Sequence, residues 1–90
     1  MNKKEFINAV ADRAELSKAD AESAVEAFLG TITATLKKGE QVQLVGFGSF
    51  LARRREARDG RNPRTGETIR IKASNVPSFK AGKALKDALN

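Results

Sequence analysis

Ninety residues make one small domain, and with 40% apolar residues, five Phe, no Trp and no Tyr, its core must come from Ala, Val, Leu, Ile and Phe. The chain has neither Cys nor His, which excludes disulfides, the common zinc sites, a Ser-His-Asp triad and a cysteine nucleophile. The formal net charge of +6 is uneven: residues 1–52 come to −1, residues 53–72 to +5 and residues 73–90 to +2.

The first half reads as two helices. Asn2 caps the first and Glu5 completes a capping box, with Phe6, Ile7, Val10 and Ala14 at helical spacing. Ser17 opens the second, Asp20 suits its positive end, and Leu16 and Ala21 are placed for a hydrophobic staple. An apolar stripe follows through Val25, Phe28, Leu29, Ile32 and Leu36, and Gly39 supplies the left-handed stop. The carboxylates Glu15, Asp20, Glu22 and Glu26 belong to solvated helical faces rather than to a catalytic set.

After Gly39 the apolar period changes to two. Val42 and Leu44 alternate with Gln41 and Gln43 in one strand, Gly46 and Gly48 bracket Phe47 in a turn, and Phe50 and Ala52 begin a second strand. Leu51, Arg53 and Arg55 share that strand's other face. The third strand of a meander is expected where Ile69, Ile71 and Ala73 alternate with Arg70 and Lys72, with the turn-rich DGRNPRTG between. Pro77 is expected to end the sheet, and Ala84, Leu85, Ala88 and Leu89 line one side of a closing helix. The expected class is α+β: two helices, a three-stranded antiparallel sheet with an extended β-hairpin arm, and a short C-terminal helix.

No run approaches the ~18 apolar residues of a membrane span, and MNKKEFINAVADRAEL lacks a signal h-region, so the expectation is a soluble, unexported, cytoplasmic protein without a membrane partner. With residues 53–72 held outside, about seventy residues remain for a core, which is marginal alone and predicts a dimer. VGFGSF at 45–50 has the look of an RNA-stacking strand, but Val45 stands where a basic residue belongs and the helix-first order conflicts. Phe47 and Phe50 are therefore read as core.

A ribbon from about Phe50–Arg58 and Glu67–Asn75 is on the order of 30 Å long and carries the basic cluster. Isolated two-stranded ribbons are marginal in water, so the outer part is expected to order on binding. Its arginines suit phosphates whatever the base sequence, and Pro63, between Asn62 and Arg64, offers a rigid apolar ring to wedge between base pairs. The plainer alternative is that Pro63 only shapes a turn.

The chain resembles the bacterial HU family of histone-like DNA-binding proteins over its full length. The resemblance rests on Gly46-Phe47, Phe50, Arg55, Arg58, Gly60, Asn62-Pro63, Thr65 and PSFKAGKALKDAL at 77–89, with GRNPRTG at 60–66 the most specific stretch. It implies an intertwined dimer, of identical or paralogous chains, that binds double-stranded DNA through the minor groove and bends it, in the nucleoid and without cofactor, metal, small-molecule substrate or catalysis. In that picture residues 1–52 and 73–90 form the dimerisation body and residues 53–72 the arm. Pro63 intercalates, and Arg53, Arg55, Arg58, Arg61, Asn62, Arg64, Arg70 and Lys72 contact DNA, flanked by Lys80, Lys83 and Lys86. The implied dimer core is Phe28, Leu29, Ile32, Leu36, Leu44, Phe47, Phe50 and Phe79. Glu67 departs from the family pattern and should weaken phosphate attraction slightly or pair with an arginine, as should Asp59. Termini shorter than those of integration host factor subunits favour HU itself. Site-specific architectural binding, a basic module docking on an acidic protein, and binding of RNA or distorted DNA are the alternatives.

Overall fold

The computed structural model describes residues Met1–Asn90. They form helices α1 (Lys3–Ala14) and α2 (Lys18–Lys37), strands β1 (Val42–Leu44), β2 (Gly48–Arg55), β3 (Arg58–Arg61), β4 (Thr68–Ile71) and β5 (Ser74–Ala81), and helix α3 (Lys83–Leu89). Residues group into two compact units, Met1–Ala34 and Thr35–Asn90.

In the first unit both expected N-cap residues act as caps, without the reciprocal Glu5 side-chain bond of a capping box. The Glu5 N–H donates to Asn2 Oδ1 at 2.8 Å, and the Asp20 N–H to Ser17 Oγ at 3.1 Å. Helix α1 closes on Glu15 in the left-handed region, φ 56°. Among apolar side chains only Ala11, Ala21 and Val25 are buried, and all three lie here. The stripe on α2 stays open beyond them: Phe28 is 50% and Leu29 44% exposed. With Phe6, Val10, Ala24 and Val25 these two line an apolar hollow of about 570 Å³.

In the second unit β1, β2 and β5 form a three-stranded antiparallel sheet with β2 central, and β3 and β4 form a separate two-stranded ladder. The fold class stands, with two corrections to its strands. The segment carrying Ile69 and Ile71 pairs with Arg58–Arg61 in the outer ribbon, and the body sheet takes Ser74–Ala81 as its third strand. Nor does Pro77 end the sheet: it lies within β5, opposite Ala52. Proline is excluded from central strands because it has no N–H for the ladder, but β5 is an edge strand with one row of N–H groups unpaired in any case.

The pleat sorts the side chains of this sheet. Val42 faces Phe50, Leu44 faces Gly48 and Phe50 faces Phe79, so all five lie on one face. There the Phe79 ring lies 4.8 Å from Phe50 and 5.5 Å from Phe47, centroid to centroid, both tilted. Gly48 is required: a Cβ at that position would stand 2.6 Å from the Lys80 carbonyl oxygen and 2.6 Å from the Phe79 ring. Phe47 and Phe79 nevertheless remain 45% and 41% exposed. The aromatic cluster forms, and two of its three rings stay well exposed.

Candidate nucleic-acid interface

The basic segment is the far part of one long hairpin. Arg55 faces Ser74 at the end of the body ladder, and Arg58 faces Ile71 at the start of the outer one. Two residues intervene on each strand, so the break inserts no extra residue and the alternation of faces carries across it. The body ladder thus includes Arg53, Arg54 and Arg55, and the interruption falls at residues 56–57 and 72–73.

Following that alternation from Gly48 to the tip separates two chemistries. One face carries Ser49, Leu51, Arg53, Arg55, Ala57, Asp59 and Arg61, with Thr68, Arg70, Lys72, Ser74, Val76, Ser78 and Lys80 opposite them. It holds six cations and a single carboxylate, Asp59. The other face carries Phe50, Ala52, Arg54, Glu56, Arg58, Gly60 and Asn62, against Phe79, Pro77, Asn75, Ala73, Ile71, Ile69 and Glu67. Its two arginines are matched by two glutamates, so it is apolar and electrically neutral. All of the hairpin's excess charge outside the tip is therefore on one side.

Local contacts reinforce the separation. Arg54 Nε donates to Glu56 Oε1 at 3.0 Å, which neutralises Arg54 on the apolar face. Ile69 and Ile71 lie across Gly60, where an added Cβ would meet Ile71 Cδ1 at 2.7 Å. This gives the outer ribbon an apolar contact of its own, supplied by β4 where β3 has none. On the basic face Arg70 Nη1 donates across the strands to Asp59 Oδ1 at 3.2 Å.

The tip is a defined turn. The ladder continues one step beyond β3, with the Asn62 N–H donating to the Glu67 carbonyl at 2.8 Å. The Gly66 N–H returns to the Asn62 carbonyl at 2.7 Å, and Gly66 takes a φ of +76°, which favours glycine. Asn62 Oδ1 accepts the Arg64 N–H at 2.9 Å and Thr65 Oγ1 the Glu67 N–H at 3.3 Å. Pro63 occupies the position after Asn62, where its fixed φ suits the turn, and its ring is exposed.

Of the residues singled out in the sequence, Arg53, Arg55, Arg61, Arg70, Lys72 and Lys80 come together on the basic face, with Pro63 and Arg64 at the tip. Arg58 lies on the opposite face, beside Ile71. The Asn62 side-chain oxygen is committed to the turn. Lys83 donates to Asp87 at 2.8 Å, and Lys86 is exposed on α3. Sequence reasoning passed over the hydroxyls of Ser49, Thr68, Ser74 and Ser78, which add hydrogen-bond donors among the cations; the alternation that places Arg53 and Arg55 would have found them.

No helix is long and apolar enough to cross a membrane. The profile of the family described as Bacterial DNA-binding protein matches residues 1–90. The chain is 62% identical over 90 residues to the DNA-binding protein HU-1 of Halalkalibacterium halodurans, covering 100% of both chains. It is 61% identical to the DNA-binding protein HU 1 of Bacillus subtilis, over 99% of this chain and 97% of that one. Among solved structures it is similar to an Anabaena HU–DNA cocrystal structure, with a TM-score of 0.88, 46% identity, and 99% and 97% of the two chains covered. HU from Thermotoga maritima matches at a TM-score of 0.70 and 39% identity over the whole of both chains. With every residue matched and identity above 60% to proteins named HU, this chain belongs to the HU family of bacterial DNA-binding proteins, a family of binders and not of enzymes.

Proposed function

We propose that this chain is a histone-like nucleoid protein that binds double-stranded DNA with little sequence specificity and bends it. The observation that carries the reading is the segregation of charge on the hairpin: six cations on one face, leading to an exposed proline at the tip. A two-stranded ribbon fits a DNA groove, and forked guanidinium donors on one side of it engage phosphates without reading bases. Wedge insertion by apolar residues is the general device of minor-groove architectural proteins, HU among them, and Pro63 is the residue placed for it here.

The working unit in this reading is a dimer. Phe28, Leu29 and Ile32 in the first unit, and Leu36, Leu44, Phe47, Phe50 and Phe79 in the second, are the side chains a partner would cover. Residues 1–52 and 73–90 then serve as the body and residues 53–72 as the arm, whose root, Arg53–Arg55, extends the body ladder.

The test measures affinity for linear duplexes of unrelated sequence across a salt series, and bending by energy transfer between end labels. Binding should be similar for all sequences and weaken steeply with salt, because it releases counterions. Pro63→Ala should lose more bending than affinity, since the turn's hydrogen bonds come from Asn62, Thr65 and Gly66 and survive the change. A flat salt response, one strongly preferred site, or tighter capture of an RNA duplex would overturn the reading. Unchanged bending in the variant would leave Pro63 as a turn residue only.

A further inference from the structure

We propose that Asp59 is a positioning residue that restrains the arm's grip: by holding Arg70 across the hairpin it cancels one of the cations offered to the phosphates. The inference rests on the DNA-binding reading above and concerns how strong that binding is.

The chain's three acidic hairpin residues are not equivalent. Glu56 and Glu67 lie on the neutral face, and Glu56 is already engaged by Arg54. Asp59 alone stands among Arg53, Arg55, Arg61, Arg70, Lys72 and Lys80. It is directly opposite Arg70 in the ladder, and its Oδ1 accepts from Arg70 Nη1 at 3.2 Å. The short aspartate stem leaves the carboxylate little reach along the ribbon, so register keeps the pair together. Both side chains are 67% exposed, so the pair adds little to folding and its effect is on the charge the ribbon presents.

A phosphate approaching this face meets a guanidinium that already shares its charge with a fixed anion. Taking Arg70 fully would strand Asp59 among phosphates; leaving the pair intact forgoes a contact. Either way the arm engages DNA with one effective cation fewer than its arginines suggest. A weaker grip releases sooner, since affinity differences between related complexes lie mostly in dissociation. For a protein that must cover and vacate DNA of any sequence, this is a means of limiting residence built into the ribbon.

The experiment compares the full-length wild type with Asp59→Asn, which keeps the shape and removes the charge, on one linear duplex between about 50 and 200 mM salt. Each engaged arm should gain about one phosphate contact, so the log–log salt slope should steepen by about 0.9 per arm, about eightfold tighter binding per arm at 0.1 M salt, with slower dissociation. The same substitution in an Arg70→Gln background should gain much less, because its effect runs through Arg70. Equal gains in both backgrounds would reduce Asp59 to a bystander charge and overturn the positioning role. A wild type that binds with a steep slope and an Asp59→Asn variant that matches it would overturn the restraint while leaving the DNA-binding reading intact. A wild type with a flat slope would overturn both. Melting curves of the two proteins, expected to coincide, separate these outcomes from misfolding.

Discussion

Arg54 and Arg55 are neighbours of the same type, equally exposed to a reader of composition, yet the hairpin assigns them opposite roles. Arg55 faces Ser74 on the basic side, whereas Arg54 faces Asn75 on the neutral side and is bonded to Glu56 at 3.0 Å. We predict that Arg55→Gln removes one phosphate contact per arm, lowering the log–log salt slope by about 0.9 and weakening binding about eightfold at 0.1 M salt. By the tenfold-per-1.4 kcal/mol rule this is about 1.2 kcal/mol per arm. Arg54→Gln should change affinity by less than about twofold and leave the slope in place, since its charge is already matched and directed away. Neither change should unfold the protein, because the Arg54–Glu56 pair is exposed, at 59% and 78%, and such pairs contribute little. Fluorescence anisotropy titrations at three or more salt concentrations would measure both. Equal losses at the two positions, or a larger loss at Arg54, would refute the claim that one face of the ribbon meets the DNA.

Two further predictions concern the body. Gly48→Ala drives a methyl into the Lys80 carbonyl and a Phe79 ring held by Phe47 and Phe50, so we expect a loss of about 1–3 kcal/mol and a lower melting temperature by about 4–8 °C for each of them; a circular dichroism melt indistinguishable from wild type would show that the sheet accommodates a Cβ there. Phe79 is 41% exposed in one chain, so Phe79→Ala should act mainly on association. If a partner completes its burial, the cost approaches the roughly 3–5 kcal/mol of a buried Phe, so the melting temperature should fall at matched protein concentration and sedimentation should show dissociation over a range where the wild type is a dimer. An unaltered association constant would place the interface elsewhere.

What the sequence made legible was mostly what short-range chemistry decides. The caps at Asn2 and Ser17 act over three residues, Gly39 takes the left-handed conformation that a helix stop requires, with φ +80°, and the structure contains all three features. The strands were harder because pairing is not local. Ile69 and Ile71 do alternate with Arg70, but alternation says only that a strand has two faces and not which strand lies beside it. Pro77 looked like a terminus because the rule against proline is a rule about central strands, and edge position is a property of the finished sheet. The candidate site divides in the same way. Density of arginine and the GRNPRTG turn were visible directly, whereas the sorting of Arg54 from Arg55 and of Asp59 from Glu67 needed the register. The Asp59–Arg70 bond joins residues eleven apart that only a closed hairpin brings together.

The same register bears on why binding should be indifferent to sequence. Bidentate readers of bases include Asn and Gln for adenine and Arg for guanine, aimed at edges in the major groove; the minor groove offers a far more degenerate pattern. On the hairpin's basic face there is no Asn or Gln at all between Ser49 and Lys80. Asn75 lies on the other face, and the Asn62 side-chain oxygen is spent on the Arg64 N–H. The basic face's polar groups, Asp59 apart, are long cations and small hydroxyls, which suit phosphates and sugars. If Pro63 wedges into the duplex as proposed, discrimination enters through the energy of deforming it there, which varies with the stacking step and is lowest where the stack is already interrupted. A nick or gap in one duplex should therefore tighten its binding in the wild type and do so much less in Pro63→Ala. A nick preference that survived the loss of the proline would mean that flexible DNA is recognised by the arms' wrap and not by the ring at their tip.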